Sequence, residues 1–263
     1  MRDIFARYPR LKGLAKKLLA PLLGRRGLYS HYTEISSAEV LVEPSHFHAA
    51  WKDGGIPARQ RRLVEKQLAE FRQGRSIEVF SVLVDCLRPL ITTAEQPSLL
   101  EVGCSSGYYG EVFATAGLRL RYFGCDYSPA FIDMARRFYP AQFFAVEDAT
   151  RLSYADSSFD LVVSGCCLLH IPEYQRAIAE SARVARRHVI FHRTPIVVGQ
   201  PTKYYRKQAY GVDTVEIHFN EHEFLALLAA AGLELIDTRT LNESVVGGVE
   251  SAVRTYVCVK QRF

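Results

Sequence analysis

Beyond Pro97 the chain alternates short apolar runs with stretches of helical periodicity, a rhythm that restricts the fold to βαβ units around a parallel sheet. Strands are predicted at about 98–103, 119–125, 142–147, 159–165, 188–194, 233–240 and 253–261, and helices at about 108–117, 129–139, 173–186 and 220–231. The class is therefore α/β, with a doubly wound, seven-stranded, mostly parallel sheet. The last run, Ala252 to Lys260, alternates polar and apolar residues and suits an antiparallel hairpin at the sheet edge. Between Pro57 and Leu90 the pattern is that of two helices separated near Gly74, and the text changes character near 91–97. This divides the chain into an N-terminal basic arm and helical cap, residues 1–95, and a main domain, residues 96–263.

Composition removes several alternatives. With 48% apolar and 23% charged residues in 263, the chain is neither disordered nor fibrous. No apolar run approaches the roughly eighteen residues needed to span a bilayer, and Leu18–Gly24 is broken by Pro21 and preceded by two lysines, which argues against a secretory signal. Six cysteines without a C-x-x-C spacing fit a reducing, cytoplasmic compartment. The net charge of +5 is concentrated in residues 1–26, which carry +7, leaving −2 for the remainder. Leu11, Leu14, Ala15, Leu18 and Leu22 recur at helical steps in that arm, giving an apolar face opposite a cationic one. Such a helix packs on the main domain, lies peripherally on an anionic membrane surface, meets an acidic partner, or serves as an organellar presequence. The slightly acidic remainder lacks the basic face of a nucleic-acid binder.

Ser98-Leu-Leu-Glu-Val-Gly-Cys-Ser-Ser-Gly-Tyr-Tyr-Gly110 reads as strand, tight turn and helix, with Gly103 and Gly107 on the turn, where a side chain would hold a nucleoside away from the backbone. A dinucleotide fingerprint would need glycine at 105 and 108, which are serine and tyrosine, so NAD is disfavoured. Asp126 ends the second strand, where a carboxylate accepts hydrogen bonds from both hydroxyls of a ribose, and Ser128-Pro129 opens the next helix. Together with Glu147-Asp148-Ala149 and Ser158-Phe-Asp-Leu-Val162, this segment resembles the class I S-adenosylmethionine-dependent methyltransferase family over roughly residues 96–194. The resemblance implies a Rossmann-like fold and S-adenosyl-L-methionine as cofactor. It further implies a cofactor site of Glu101, Gly103, Cys104, Ser105, Gly107, Asp126, Tyr127, Asp148, Ala149 and Gly165. Glu101 would sit under the methionine part, Asp126 at the ribose and Asp148-Ala149 at the adenine. Ser105 departs from the family's usual middle glycine and must tolerate the backbone angle that glycine normally supplies.

Because the cofactor's sulfonium already activates the methyl group, the protein mainly has to position an acceptor, and an oxygen acceptor also needs a base. His170, just past the fourth strand, is the first candidate, and His192, beside Arg193 at the end of the fifth, is the second. Residues 195–220 read as a long insertion rich in basic and aromatic side chains, from Lys203 to Tyr210, suited to an anionic or sugar-bearing acceptor. Lys207–Glu216 resembles methyltransferases of bacterial glycan assembly. Trp51 and its neighbours are candidates for a lid. His46-Phe-His48 has a ligand-like spacing but no third ligand nearby, so no metal is expected. The expected activity is methylation, on oxygen, of a small-molecule acceptor such as a sugar, a lipid-linked glycan or a secondary metabolite. RNA or protein methylation, and a non-catalytic cofactor-binding scaffold, are the alternatives.

Overall fold

Strands whose neighbouring residues face opposite sides can serve two helical layers at once, and the centre of this sheet does so. The computed structural model describes residues 32–42, 44–91, 96–209, 212–246 and 249–261, so the basic arm of residues 1–26 lies outside the described residues. The strands are β1 (Tyr32–Ile35), β2 (Ser98–Val102), β3 (Arg121–Asp126), β4 (Phe143–Val146), β5 (Phe159–Gly165), β6 (Ala185–Val197), β7 (Lys203–Ala209), β8 (Val212–Asn220), β9 (Leu233–Val246) and β10 (Val249–Lys260). The α-helices are α1 (Ser37–Val42), α2 (Pro44–Ala50), α3 (Ile56–Arg72), α4 (Glu78–Leu87), α5 (Tyr108–Thr115), α6 (Pro129–Phe138), α7 (Tyr174–Val184) and α8 (Glu221–Ala230).

Leu100, Val102, Val162, Val189 and Phe191 face a layer containing Ala177 and Ile178 of α7 and Phe224 and Leu228 of α8. The residues between them, Leu99, Leu161, Val163 and Ile190, face Val64 and Leu68 of α3, Phe80 and Leu83 of α4 and Val112 and Phe113 of α5. These side chains are nearly all less than 5% exposed, each contributing about 1.5–3 kcal/mol of burial. Helices α3 and α4, which precede the main domain in sequence, thus share its core.

The seven expected strands form one sheet in the order β4-β3-β2-β5-β6-β10-β9, parallel except for β10, which runs antiparallel to both of its neighbours. The count of seven is nevertheless too low: the described residues contain ten strands in this sheet, the additions being β1, β7 and β8. The supposed insertion at 195–220 is an extension of β6 followed by a β7–β8 hairpin. Its alternation is visible in Val215, Ile217 and Phe219, all buried, but the charged face of β7 hides it. β5 pairs with β6 as far as Gly165 and His192, and β8 then takes the same role at Ile196–Phe219 and Val197–Asn220. The hairpin therefore stands beyond the carboxyl end of β5, where ligands of open α/β sheets bind.

Candidate functional site

The turn from β2 into α5 is shaped by left-handed residues. Gly103 has φ 75° and Gly107 φ 74°, and a Cβ on Gly103 would lie 2.4 Å from Cys167 Cβ and Sγ, so only glycine lets the β5 loop pack there. Ser105 adopts φ 48°, accepting the angle that its place in the motif demands. Its amide donates to Asp126 Oδ2 at 2.8 Å, while Ser128 N donates to Oδ1 at 2.9 Å. Burial raises the Asp126 carboxyl to about 6 against the opposing pull of these backbone donors. The Glu101 carboxyl is 1% exposed, takes a hydrogen bond from the Tyr122 hydroxyl, and is pushed by burial to about 8, so it carries a proton at neutral pH. Asp148 Oδ1 accepts from Thr150 N and Oγ1 at 2.8 and 2.7 Å, which fixes the turn after β4.

A cavity of about 530 Å³ opens at the carboxyl ends of β2–β6. Gly103, Ser105, Asp126, Tyr127, Asp148, Ala149 and Gly165 line it, as does His170. Glu101, Cys104 and Gly107 do not reach the wall. Glu101 lies behind Gly165, Cys104 is fully buried, and the space beside Gly107 is filled by Phe144, whose ring atoms would be 2.6 Å from an added Cβ. All three pack behind the turn. Left-handed glycines, a buried carboxylate at the end of β3 and a cavity of small-ligand size together fit a nucleoside-bearing cofactor such as S-adenosylmethionine.

The β5–β6 side of the cavity has a different make-up. His170 sits on the short 3-10 turn Leu168–His170, and its Nδ1 is 2.7 Å from the Val215 carbonyl of β8. A carbonyl only accepts, so Nδ1 carries the proton and Nε2 keeps its lone pair. Burial lowers the pKa of the imidazole below the usual histidine value and keeps it neutral. The Trp51 ring lies over it with centroids 4.7 Å apart. Lys207 Nζ meets Glu216 Oε2 at 2.6 Å, and His218 Nε2 donates to Oε1 at 3.0 Å. Although burial acts upward, these two donors hold the Glu216 carboxyl at about 2.

His192 is a correction. The structure does not bring it to the cavity: it is 1% exposed, with Nδ1 2.8 Å from Thr255 Oγ1 and its ring edge-on to Tyr109. Burial drives it to about 3, and its place on β6 aims it into the α5 layer. Its neighbour Arg193 lines the cavity instead. Tyr108, Phe131, Glu147 and Val253 also line it and were not singled out from sequence; Tyr108 lay within the glycine motif, whereas Val253 comes from β10 and carries no local signal. His48 pairs with Glu173 at 3.1 Å rather than with a second metal ligand, and no group able to hold a metal occurs among the described residues.

Comparison with known proteins agrees with this geometry. Residues 100–192 match the family model described as a methyltransferase domain. A demethylmenaquinone methyltransferase of Renibacterium salmoninarum is 34% identical over 88 residues, 34% of this chain and 36% of that protein. The match thus spans about a third of the length of that curated relative. Among solved structures, magnesium protoporphyrin IX methyltransferase from Synechocystis, with bound S-adenosylmethionine, superposes with a TM-score of 0.55 at 16% identity, covering 86% of this chain and 98% of that one. An S-adenosylmethionine-dependent methyltransferase from Methanosarcina mazei gives 0.53 at 20% identity, covering 67% and 97%. At such identities the structural likeness establishes the fold.

Proposed function

We propose that the chain is a class I S-adenosylmethionine-dependent methyltransferase, as the methyltransferase-domain match over residues 100–192 supports, and that it methylates an oxygen of a small-molecule acceptor held between β5, β6 and the β7–β8 hairpin. The cofactor supplies a methyl group already activated on a sulfonium. Asp126 would hold the ribose hydroxyls, Asp148 and Ala149 the adenine, and the Gly103–Ser105 turn with Gly165 the methionine end. Glu101, Cys104 and Gly107 keep that turn in shape from behind.

The observation that carries the oxygen assignment is the bond between His170 Nδ1 and the Val215 carbonyl. It leaves Nε2 as an acceptor in the cavity wall, positioned to take the proton from an acceptor hydroxyl while Nδ1–H stays bonded to β8. In this reading α2 and the residues that follow it cap the cavity, while α3 and α4 belong to the core of the sheet. Phe47 anchors α2 at 1% exposure, and Trp51 covers His170 and excludes water from it. The test is incubation with methyl-labelled S-adenosylmethionine and a panel of sugars, glycolipid headgroups and hydroxylated metabolites, with mass spectrometry locating the methyl. Methyl ether or ester formation is expected. Methyl found on nitrogen, carbon or sulfur, or solely on RNA or protein, would contradict the assignment.

The basic arm, with a charge of +7 over residues 1–26 and leucines at helical steps, supports a second element of the proposal, peripheral contact with an anionic membrane surface. Deleting residues 1–26 should abolish co-sedimentation with anionic liposomes. Retained sedimentation would remove the arm from that role.

A further inference from the structure

β6 and β10 fall out of step at one point. Thr194 pairs with Arg254 and Phe191 with Tyr256, so Thr255 alone faces His192 and Arg193. This is a β-bulge, and Arg193 in it has φ 61°, a conformation that bulky residues rarely adopt. Bulges beside active sites re-aim side chains, and here His192 faces the Thr255 hydroxyl in the core while Arg193 joins the cavity wall.

Charge is distributed unevenly along that wall. At the β3–β4 side the lining contains the carboxylates of Asp126, Glu147 and Asp148. At the β6–β8 side it contains two permanent cations, Arg193 and Lys207, and one carboxylate, Glu216, which lies 2.6 Å from Lys207. The acidic side suits a cationic cofactor. The opposite side, where the bulge brings the planar guanidinium of Arg193 into the wall that Lys207 also lines, suits an anion.

Resting on the methyltransferase reading, we infer that the acceptor carries a carboxylate or phosphate group and that Arg193 recognises it, with Glu216 holding Lys207 in place beside it. Arg193 is thus a specificity-determining residue, and the bulge is the device that presents it. Neutral sugars and neutral lipids are outside the substrate class.

The test uses the full chain saturated with S-adenosylhomocysteine and reads Trp51, the single tryptophan of the sequence, which lies in the cavity wall. Inorganic phosphate and benzoate are titrated separately at ionic strength held constant with chloride, so that the two anion types are distinguished. A saturable fluorescence change with at least one of them is expected, weakened at least tenfold in Arg193→Gly and less in Arg193→Lys. Glycine suits φ 61°, so Arg193→Gly should remain folded and bind S-adenosylhomocysteine within twofold of the wild type. An unchanged anion response in Arg193→Gly, or no saturable response in a wild type that binds S-adenosylhomocysteine, would overturn the inference. A tenfold loss of S-adenosylhomocysteine binding in Arg193→Gly would also overturn it, by assigning the arginine to the cofactor's own carboxylate. A wild type that binds no S-adenosylhomocysteine would instead bring down the methyltransferase reading, and this inference with it.

Discussion

At the β2–β4 end of the cavity, polar groups are fixed by partners close in sequence or on the adjacent strand: Asp126 by Ser105 and Ser128, Asp148 by Thr150. At the β5–β8 end, His170 is held by a carbonyl 45 residues away, Trp51 arrives from the N-terminal segment, and Glu216 binds across a hairpin to Lys207. The first end is a set of short-range contacts welded to the central strands. The second is assembled from elements that meet only once the hairpin has docked on β6. A family can therefore keep one cofactor while varying its acceptors, because the elements that change are not those that shape the glycine turn.

This contrast can be broken most forcefully at His170. If it serves the acceptor alone, His170→Ala should lower kcat by about 10²–10⁴-fold and leave S-adenosylhomocysteine affinity within about twofold. The wild-type rate should fall as pH drops through an inflection below the ordinary histidine value, because burial disfavours the imidazolium and only the neutral ring accepts a proton. That acid limb should be missing from the residual activity of the variant. Gly103→Ala probes the other end. With φ 75° and Cys167 2.4 Å from the new Cβ, it should cost about 1–2 kcal/mol in urea unfolding from backbone strain alone, with further loss from the clash, and weaken cofactor binding. A well-folded Gly103→Ala with full affinity would mean that the turn tolerates far more than its geometry suggests.

The smallest effect belongs to Ser105→Gly. Relief of a left-handed serine at φ 48° is offset by the greater freedom of glycine in the unfolded chain, so a gain within about 1 kcal/mol is expected, with unchanged ligand binding. A clear loss of stability would show that the Ser105 side chain contributes something beyond its backbone.

The difference between the ends also explains what could be read from the sequence. Asp126 before Ser-Pro, the glycines at 103 and 107 and the Asp148-Ala149 pair are local patterns, and the strands that carry them show clear apolar runs. Their positions at the strand ends follow from parallel topology. The hairpin reads in sequence only as an insertion because Lys203, Arg206 and Lys207 interrupt the apolar alternation of β7. His192 follows the ordinary alternation of β6, on the same side as Ile190, whereas Arg193 reaches the cavity wall from a bulge set by pairing with β10, more than 50 positions away. Glu101 is legible as the acid before the glycine turn, but only the tertiary packing around Tyr122 and Gly165 shows that it backs the cavity and does not line it.

The central claim is that the acidic end of the cavity is an adenosyl-cofactor site organised by Asp126. Isothermal titration calorimetry of S-adenosylmethionine, S-adenosylhomocysteine and NAD with the wild type and Asp126→Ala tests it directly. The account predicts micromolar binding of both adenosyl ligands, none of NAD, and a weakening of more than about tenfold, or 1.4 kcal/mol, in the variant. A folded wild type that binds neither adenosyl ligand, or an Asp126→Ala protein with undiminished affinity, would contradict it.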